Sequence, residues 1–439
     1  MTTPHPPASR LPGFALPRIE RLKLDNGLRA VLVESGSVPK ADVRLVLDIG
    51  DAQESLDETW LSRLVAEYLR EGSATRDSDA YAQAVAALGG DLAVDSDDDT
   101  TTLRGRVLSE HAPAFVRLLA ELVRTPRFPP GDLPRLRSDL ERRLALAQVQ
   151  PHMLALERFR AALYGDHPYG RVFPRPGLIG RFTTDAARAF YEAHGGAARA
   201  TLYVAGRFDE RAVGAAVAEA FDGWPAGADS TVRPPQPRHE RAVHLVDRAQ
   251  SEQSTIYMGL PVPAAGHEDW IPLWVANALL GGSFISRILL NLREDKGYSY
   301  SPFGFISTRR RDANWMQIAD VTTEVTGASL VEIFREIDRL RAEAPPTAEL
   351  EGIQRYVTGT YLTRFATPAG ISEQLASLDL QGLDASYAEA TVERANAVTP
   401  EEVRSVVERC LRPEEMAIVV VGDASRVAGQ IEPFGRVSA

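Results

Sequence analysis

The feature that most constrains the fold is an internal repeat with a period of roughly 210 residues. Residues 182–206 align without a gap on residues 398–422, and Gly72-Ser73 and Gly282-Ser283 end helices at equivalent places. This period is far longer than that of any solenoid repeat, so the sequence indicates a duplicated domain. In each half, strands are followed by helices without regular alternation. The pattern therefore predicts an α+β fold of two similar domains, each a mostly antiparallel sheet packed with helices.

The boundaries follow from composition. Residues 1–18 are rich in proline and are predicted to form a flexible arm. Residues 223–240, GWPAGADSTVRPPQPRHE, show little periodicity and are predicted to be a linker. The first domain then spans residues 19–222 and the second spans residues 241–439. We call these two domains the first half and the second half.

Composition excludes several classes of function. The chain has 439 residues, is 44% hydrophobic and carries a formal net charge of −11, which argues against nucleic acid or an anionic membrane as the main partner. A single cysteine, Cys410, excludes internal disulfides and cysteine-rich metal sites. No apolar run has the length of a signal peptide or a membrane span. We therefore expect a cytoplasmic protein.

The stretch 281–305 carries the strongest chemical signal. Gly281-Gly282 precedes Ser283, which is predicted to cap a helix that ends before Gly297. The apolar residues of this helix recur at helical spacing, which predicts one buried face. They are Phe284, Ile285, Ile288, Leu289 and Leu292. Residues 298–301 alternate aromatic and polar side chains, which predicts a strand. Arg293 and Tyr300 would then flank a glycine turn, where a guanidinium and a phenol suit a peptide carbonyl or carboxylate. The alternative is a surface arginine and a core tyrosine.

This stretch resembles the second half of zinc peptidases of the pitrilysin family, which includes mitochondrial processing peptidase and insulin-degrading enzyme. The resemblance rests on the glycine turn, the helix, Leu292-Arg293 and a tyrosine, Tyr300, seven residues after the arginine. It implies two similar halves that close face to face as part of a clamshell. It also implies that Arg293 and Tyr300 hold substrate backbone beside a zinc ion bound by the other half of that clamshell.

The zinc motif of catalytic family members is degenerate here. The resemblance places His-x-x-Glu-His on a helix predicted for residues 57–71, where Arg63, Ala66 and Glu67 occupy the three functional positions. Arg63 is a cation that cannot ligate zinc, Ala66 carries no base, and Glu67 alone could contact a metal. We expect Arg63 and Glu67, four residues apart, to pair with each other. Glu141 lies near the position of the third ligand but is more typical of a charged helix face.

Other candidate sites are weaker. No two of the eight histidines have the spacing HxxxH, and His167, in GDHPYG, is interpreted as structural. Asp97-Asp98-Asp99 lacks the glycine and the distal glutamate of a calcium loop, so we expect a solvated turn.

These observations predict a catalytically silent subunit of a heterodimeric zinc metallopeptidase. The chain would hold no metal and would be inactive alone, while a homologous partner with an intact His-x-x-Glu-His motif would hold the zinc. Arg293 and Tyr300 would bind the peptide substrate beside that zinc. Two alternatives remain at this point, a structural scaffold subunit and a stand-alone peptide-binding module that could form a homodimer.

Overall fold

The computed structural model describes residues 14–229 and 232–438. The strands are β1 (Ile19–Lys23), β2 (Arg29–Glu34), β3 (Lys40–Leu47), β4 (Ala93–Ser96), β5 (Thr101–Leu108), β6 (Ala200–Gly206), β7 (Ala242–Asp247), β8 (Gln253–Val262), β9 (Phe303–Arg309), β10 (Asp312–Thr322), β11 (Ala417–Gly422) and β12 (Val437–Ser438). The helices of the first half are α1 (Leu61–Tyr68), α2 (Ser78–Ala87), α3 (Ala112–Arg124), α4 (Leu133–Gln148), α5 (Pro151–Tyr164), α6 (Thr184–His194) and α7 (Glu210–Phe221). Those of the second half are α8 (Trp270–Leu280), α9 (Arg287–Leu289), α10 (Thr326–Ala342), α11 (Thr347–Thr363), α12 (Pro368–Gln381), α13 (Ala385–Ala397), α14 (Pro400–Cys410) and α15 (Ala424–Ile431).

The strands form two six-stranded sheets, and the predicted α+β duplication is confirmed. The first sheet has the order β1-β2-β6-β3-β5-β4, and the second has the order β12-β7-β11-β8-β10-β9. Four neighbouring pairs of the first sheet are antiparallel, and β2 and β6 are parallel. In both sheets the strand from the repeated segment, β6 or β11, lies third from one edge. A hairpin at Asp25-Asn26-Gly27 joins β1 and β2, with Gly27 at a φ of 90° that favours glycine.

Each sheet buries one face against helices of its own half. In the first half, apolar side chains of α1, α3, α6 and α7 pack on the sheet around Leu45 and Leu202. In the second half, α8, α10, α14 and α15 do the same around Ile256 and Val420. In these two large cores each of the packed helices buries its apolar face against a sheet.

The opposite face of each sheet is covered by the other half of the chain. Helix α5, from the first half, places Phe159 and Leu163 against Tyr257 and Val419 of the second sheet. Helix α12, from the second half, places Ile371 and Leu375 in the cluster around Tyr203 of the first sheet, and Phe365 extends that cluster. The two halves therefore exchange helices, and neither sheet is fully buried by its own segment.

The turn between β4 and β5 departs from the sequence-based expectation. Asp97-Asp98-Asp99 is not a solvated turn, because Asp99 is only 3% exposed and Asp98 contacts Arg160 and Arg309. Asp97 accepts hydrogen bonds from the backbone N–H groups of Asp99 and Thr100 and so shapes the turn. The acidic run is thus a point of contact between the two halves.

The predicted arm and linker are described in part. Residues 1–13 of the arm and residues 230–231 of the linker lie outside the described residues. Within the rest, the ring of Phe14 lies 5.0 Å from that of Phe365, and the Arg238 backbone N–H donates to the Leu163 carbonyl at 2.8 Å. The domain boundaries stay predictions that limited proteolysis can test.

Candidate functional site

The helix that carries the degenerate motif is shorter than predicted. Its α-helical part is α1, residues 61–68, and single 3-10 turns at Leu56–Glu58 and Leu69–Glu71 lie on either side. Trp60 precedes the helix at a φ of 77°, a left-handed conformation that stops helical hydrogen bonding from extending further back. The buried Glu54 carboxylate accepts from the backbone N–H groups of Trp60 and Ser62, which satisfies the start of the helix. Burial raises the pKa of Glu54 well above its usual value, and the nearby Asp51 adds to that rise.

Arg63, in the position of the first histidine, forms an ion pair with a residue outside the motif. Its Nη2 lies 3.0 Å from Oδ2 of Asp51, and its guanidinium lies 4.5 Å from the ring centre of Trp60. The Asp51 side chain is 5% exposed and also accepts from the Ser62 hydroxyl. Burial, the largest single influence, would lower the pKa of Arg63, but Asp51 together with Glu54 and Asp98 raises this pKa overall. Arg63 is therefore a fixed cation.

Glu67, in the position of the second histidine, is held by two other arginines. Its carboxylate lies 2.6 Å from Nη1 of Arg143 on α4 and 3.0 Å from Nη1 of Arg70. The predicted pair between Arg63 and Glu67 is wrong, because Arg63 pairs with Asp51 and Glu67 pairs with Arg70 and Arg143. Glu141 is exposed on α4, and Arg143 is the α4 residue that reaches Glu67.

These residues do not fit a zinc ion. The donor set offers one carboxylate, Glu67, which two guanidinium groups already bind, and Arg63 in the position of the first histidine is a cation paired with Asp51. Ala66 is 4% exposed and is part of the apolar core, so no base is present between them. Zinc needs several neutral or anionic donors around one point, and this arrangement supplies positive charge instead.

The stretch 281–305 folds differently at both ends from the prediction. The helix begins at Arg287 and not after Ser283, and it widens into a π-helical turn over Leu290–Asp295. Gly281-Gly282 packs so closely on β9 and β10 that a Cβ on Gly281 would lie 2.3 Å from Gln317 Oε1. Gly281 therefore lies against the sheet, where its carbonyl accepts from the Gly304 N–H, and the helix begins six residues later. Ile288, Leu289 and Leu292 are buried as predicted, whereas Phe284 and Ile285 are 76% and 57% exposed.

The predicted strand at residues 298–301 is absent. The backbone N–H groups of Tyr298 and Ser299 both donate to the Leu292 carbonyl, so they complete the end of the helix and are not free for a sheet. The strand β9 starts only at Phe303, after Pro302.

Arg293 and Tyr300 lie against each other. The guanidinium carbon of Arg293 is 4.9 Å from the ring centre of Tyr300, which is within cation–π range. Tyr300 is 78% exposed, so the interpretation as a core tyrosine is wrong for this residue. The Arg293 side chain is 31% exposed, and its Nε lies 3.2 Å from the Glu294 carboxylate. The pair thus exposes a phenol and part of a guanidinium to solvent.

A cavity along β9 was not predicted. It has a volume of about 400 Å³ and lies between α8, β9 and the helices α11–α13. Six aromatic side chains line it, from Trp270, Trp274, Phe303, Phe305, Tyr361 and Tyr387. Their spacing in sequence, across more than a hundred residues, gives no local signal.

The β9 strand forms an edge of the second sheet beside the same cavity. The backbone N–H of Gly304 donates outward to the Gly281 carbonyl, so by alternation the backbone groups of Ile306 and Thr308 also point away from β10. Both residues line the cavity. Among the described residues, no hydrogen-bond partner is found for these outward groups of Ile306 and Thr308.

Comparison with family models identifies the fold. Residues 29–177 match the model of the insulinase domain of peptidase family M16, and residues 181–357 match the model described as the peptidase M16 inactive domain. The chain belongs to the M16, or pitrilysin, family of peptidases. The two models meet between α5 and α6, and together they include the degenerate motif and the Arg293–Tyr300 pair.

Similar proteins extend along most of the chain. An uncharacterized zinc protease of Bacillus subtilis is 23% identical over 413 residues, which is 93% of this chain and 99% of that protein. An uncharacterized zinc protease of Mycobacterium bovis is 26% identical over 409 residues, covering 89% of this chain and 90% of that protein. These names describe the two relatives and do not by themselves assign a zinc motif to this chain.

Solved structures agree on the fold. A crystal structure described as a peptidase M16 inactive domain from Pseudomonas fluorescens has a TM-score of 0.84 at 22% identity, covering 92% of this chain and 98% of that chain. A protease from Helicobacter pylori has a TM-score of 0.86 at 17% identity, covering 93% and 100%. Within the described residues, the helices are too short or too polar to cross a membrane.

Proposed function

We propose that this M16 family member is a catalytically silent subunit of a heterodimeric zinc metallopeptidase. In this proposal it supplies Arg293 and Tyr300 to a peptide bound beside the zinc ion of a homologous partner with an intact His-x-x-Glu-His motif. The observation that carries the proposal is the contrast between the two motif regions. Arg63, Ala66 and Glu67 are built into ion pairs and core packing, whereas Tyr300 is exposed with Arg293 stacked on it.

The chemistry of the pair suits a peptide in both its ground and transition states. The Arg293 guanidinium can donate to a peptide carbonyl with fixed geometry, and its contact with the Tyr300 ring limits the orientations of both groups. The Tyr300 hydroxyl can donate a hydrogen bond to an oxygen on which negative charge develops, while the phenol itself stays neutral. Neither group can activate water, so the proposal assigns them to positioning and charge stabilisation.

The β9 edge supports peptide binding by the same half. Outward backbone groups at Ile306 and Thr308 can extend the sheet by pairing with a short extended segment. The adjacent aromatic cavity could take one of its side chains. This observation favours a second candidate, a stand-alone peptide-binding module without a proteolytic role.

Reconstitution tests the proposal. The chain is co-expressed with a homologous protein of the same organism that carries His-x-x-Glu-His, and the complex is assayed on an unstructured peptide mixture. We expect cleavage by the complex and at least a tenfold lower rate for either chain alone. Full activity of the partner alone would contradict the proposal. Retained peptide binding by this chain, without any partner, would favour the stand-alone module.

The proposal includes a cytoplasmic location for the pair, in line with a composition that has one cysteine. Cell fractionation with an antibody to the chain tests this part separately, and recovery in a periplasmic fraction would contradict it. A periplasmic protease from Escherichia coli shares the fold, with a TM-score of 0.80, and this chain covers 47% of its length.

A further inference from the structure

The first sheet also has an edge strand, β4, and it lies beside the degenerate motif. Asp97 donates its backbone N–H to the Thr100 carbonyl, which makes these two residues a hydrogen-bonded pair across the β4–β5 turn. By the alternation of an antiparallel ladder, Asp95 and Ala93 also face β5. The backbone N–H and carbonyl groups of Val94 and Ser96 therefore face away from the sheet. An edge of this kind is a template for strand addition by an extended peptide.

A side chain occupies this edge. Nη2 of Arg70 donates to the Val94 carbonyl, while Nη1 of the same guanidinium bonds both oxygens of Glu67 at 3.0 and 3.1 Å. Glu67 is itself fixed by Arg143, 2.6 Å away, and its side chain is 11% exposed. The chain Arg143–Glu67–Arg70–Val94 thus holds a guanidinium against one of the two outward carbonyls of β4.

We infer that Arg70 closes the β4 edge of the first sheet to strand addition by an extended peptide. A peptide that pairs with β4 needs the Val94 carbonyl as an acceptor, and it must displace Arg70 to obtain it. Displacement leaves the nearly buried Glu67 with one cation in place of two. The planar fork of arginine suits this role because it bonds the carboxylate and the carbonyl at once, which the single ammonium of lysine would do poorly.

This inference deepens the proposed function, because it says which edge of this chain a peptide can use. The two sheet edges are equivalent by duplication but differ in what covers them. At β9 the outward groups of Gly304 are bonded by Gly281 and Asn277, and those of Ile306 and Thr308 remain accessible from the cavity. At β4 the outward carbonyl of Val94 is occupied by Arg70. Glu67 occupies the position where catalytic members of the family carry a zinc ligand. In this chain its carboxylate holds Arg70 in place.

The test uses the isolated full-length chain and a fluorescein-labelled octapeptide with the β5 sequence, TTLRGRVL, as an extended probe. Affinity is measured by fluorescence anisotropy, and amide hydrogen exchange is followed at Val94 and Ser96. For the wild type we expect no added protection at these two amides on addition of the probe. For Arg70→Met we expect about tenfold tighter binding, the order of one regained hydrogen bond, together with protection at both amides.

Two further variants make the result specific. Arg135→Met removes the same charge from the same surface, since Arg135 pairs with Glu71 at 2.6 Å, and it should bind the probe as the wild type does. Glu67→Gln keeps Arg70 but removes the carboxylate that orients it, and it should give an affinity between those of the wild type and Arg70→Met. This second route remains informative if Arg70→Met folds poorly.

Either of two outcomes would overturn the inference. The first is protection of Val94 and Ser96 in the wild type on addition of the probe. The second is an Arg70→Met chain that folds normally and gains neither affinity nor protection at these amides. No partner or zinc is present in this experiment, so its result is independent of whether the reconstituted heterodimer cleaves peptides.

Discussion

Nε of Arg309, at the end of β9, lies 2.7 Å from Oδ2 of Asp98, in the turn between β4 and β5. The two residues come from different halves, and the Arg309 side chain is only 3% exposed. Arg160 of α5 binds the same carboxylate from the other side, at 2.9 and 3.0 Å. Burial would raise the pKa of Asp98, but these two guanidinium groups lower it below its usual value. The hairpin ends of the two sheets are therefore joined by a buried ionic contact.

Replacing Arg309 by methionine should destabilise the whole chain. The substitution leaves Asp98 with one cation and removes the guanidinium that also contacts Tyr164. Breaking a buried ion pair from one side typically costs about 3 kcal/mol or more. We expect a loss of that size in the free energy of unfolding, measured by urea denaturation. Arg311→Met, two residues along in the same turn and exposed, is the matched control and should change stability by less than about 0.5 kcal/mol.

Asp99 should make stability depend on pH between about 4 and 7. Burial is the main cause that raises the pKa of Asp99 to about 6, although it accepts from the Tyr169 hydroxyl and the Arg310 backbone N–H. The folded state then binds a proton that the unfolded state, with a pKa near 3.9, releases. Folding is therefore favoured by acidification through this window, by up to about 3 kcal/mol.

The comparison that isolates this group is the wild type against Asp99→Asn. As the pH falls from 7 to 4, the unfolding free energy of the wild type should rise relative to that of the variant. Groups whose pKa is lowered in the folded state, such as Asp98, act in the opposite sense at lower pH. They are common to both proteins. A constant difference between the two proteins across this range would show that Asp99 does not titrate there.

The architecture was predictable because duplication and periodicity are properties of whole segments. The repeated segments 182–206 and 398–422 contain β6 and β11, which occupy equivalent places in the two sheets. The pairing of Arg63 with Asp51, and of Glu67 with Arg143, could not be predicted. Those partners are 12 and 76 residues away and meet only after the sheet and α4 have packed. Local spacing suggested the i, i+4 pair, and tertiary partners overrode it.

The functional stretch shows the same limit at short range. Helical periodicity identified Ile288 and Leu292 as buried but also included Phe284 and Ile285, which are exposed. The sequence pattern does not show that Gly281 lies against Gln317 or that the helix begins only at Arg287. Likewise, the aromatic alternation at residues 298–301 predicted a strand. The N–H groups of Tyr298 and Ser299 instead donate to the Leu292 carbonyl.

Arg63→Met should destabilise the first half. Asp51 is almost fully buried and would lose its only ionic partner among the described residues. Because Arg63 itself is one-third exposed, we expect a loss of about 2 kcal/mol, below the range for a fully buried pair. Urea denaturation measures it. Arg104→Met is the matched control, since its pair with Asp95 is half exposed and should contribute about 0–1 kcal/mol.

The purified chain should carry no stoichiometric zinc. Arg70 and Arg143 both bind Glu67, and Arg63, in the position of the first histidine, is a cation paired with Asp51, which together oppose a divalent ion there. The triple change Arg63→His, Ala66→Glu and Glu67→His should still bind zinc poorly, because Arg70 and Arg143 remain beside the rebuilt ligands. Elemental analysis after dialysis measures both proteins. About one zinc per wild-type chain, lost in Glu67→Gln, would contradict this prediction.

The final prediction concerns Tyr300 and Arg293 in the reconstituted heterodimer. Tyr300→Phe deletes only a hydroxyl from an exposed ring, so the melting temperature and the contact with Arg293 should stay nearly unchanged. Loss of a donor to a developing oxyanion typically lowers turnover by about a hundredfold, and we expect kcat to fall by that order. Arg293→Lys should also lower kcat, and should raise KM if the guanidinium already binds the substrate before reaction.

Steady-state kinetics of the assembled complexes, with assembly checked by size-exclusion chromatography, separates these effects. Tyr298→Phe is a matched control, because Tyr298 packs partly buried against the second core and lies two residues from Tyr300. It should leave kcat within about twofold, well below the effect of losing an oxyanion donor. If Tyr300→Phe and Arg293→Lys both assemble with the partner and cleave at the wild-type rate, the pair has no role in catalysis. In that case the scaffold interpretation of this chain becomes the better one, since an exposed phenol with no effect on turnover contributes nothing to a shared active site.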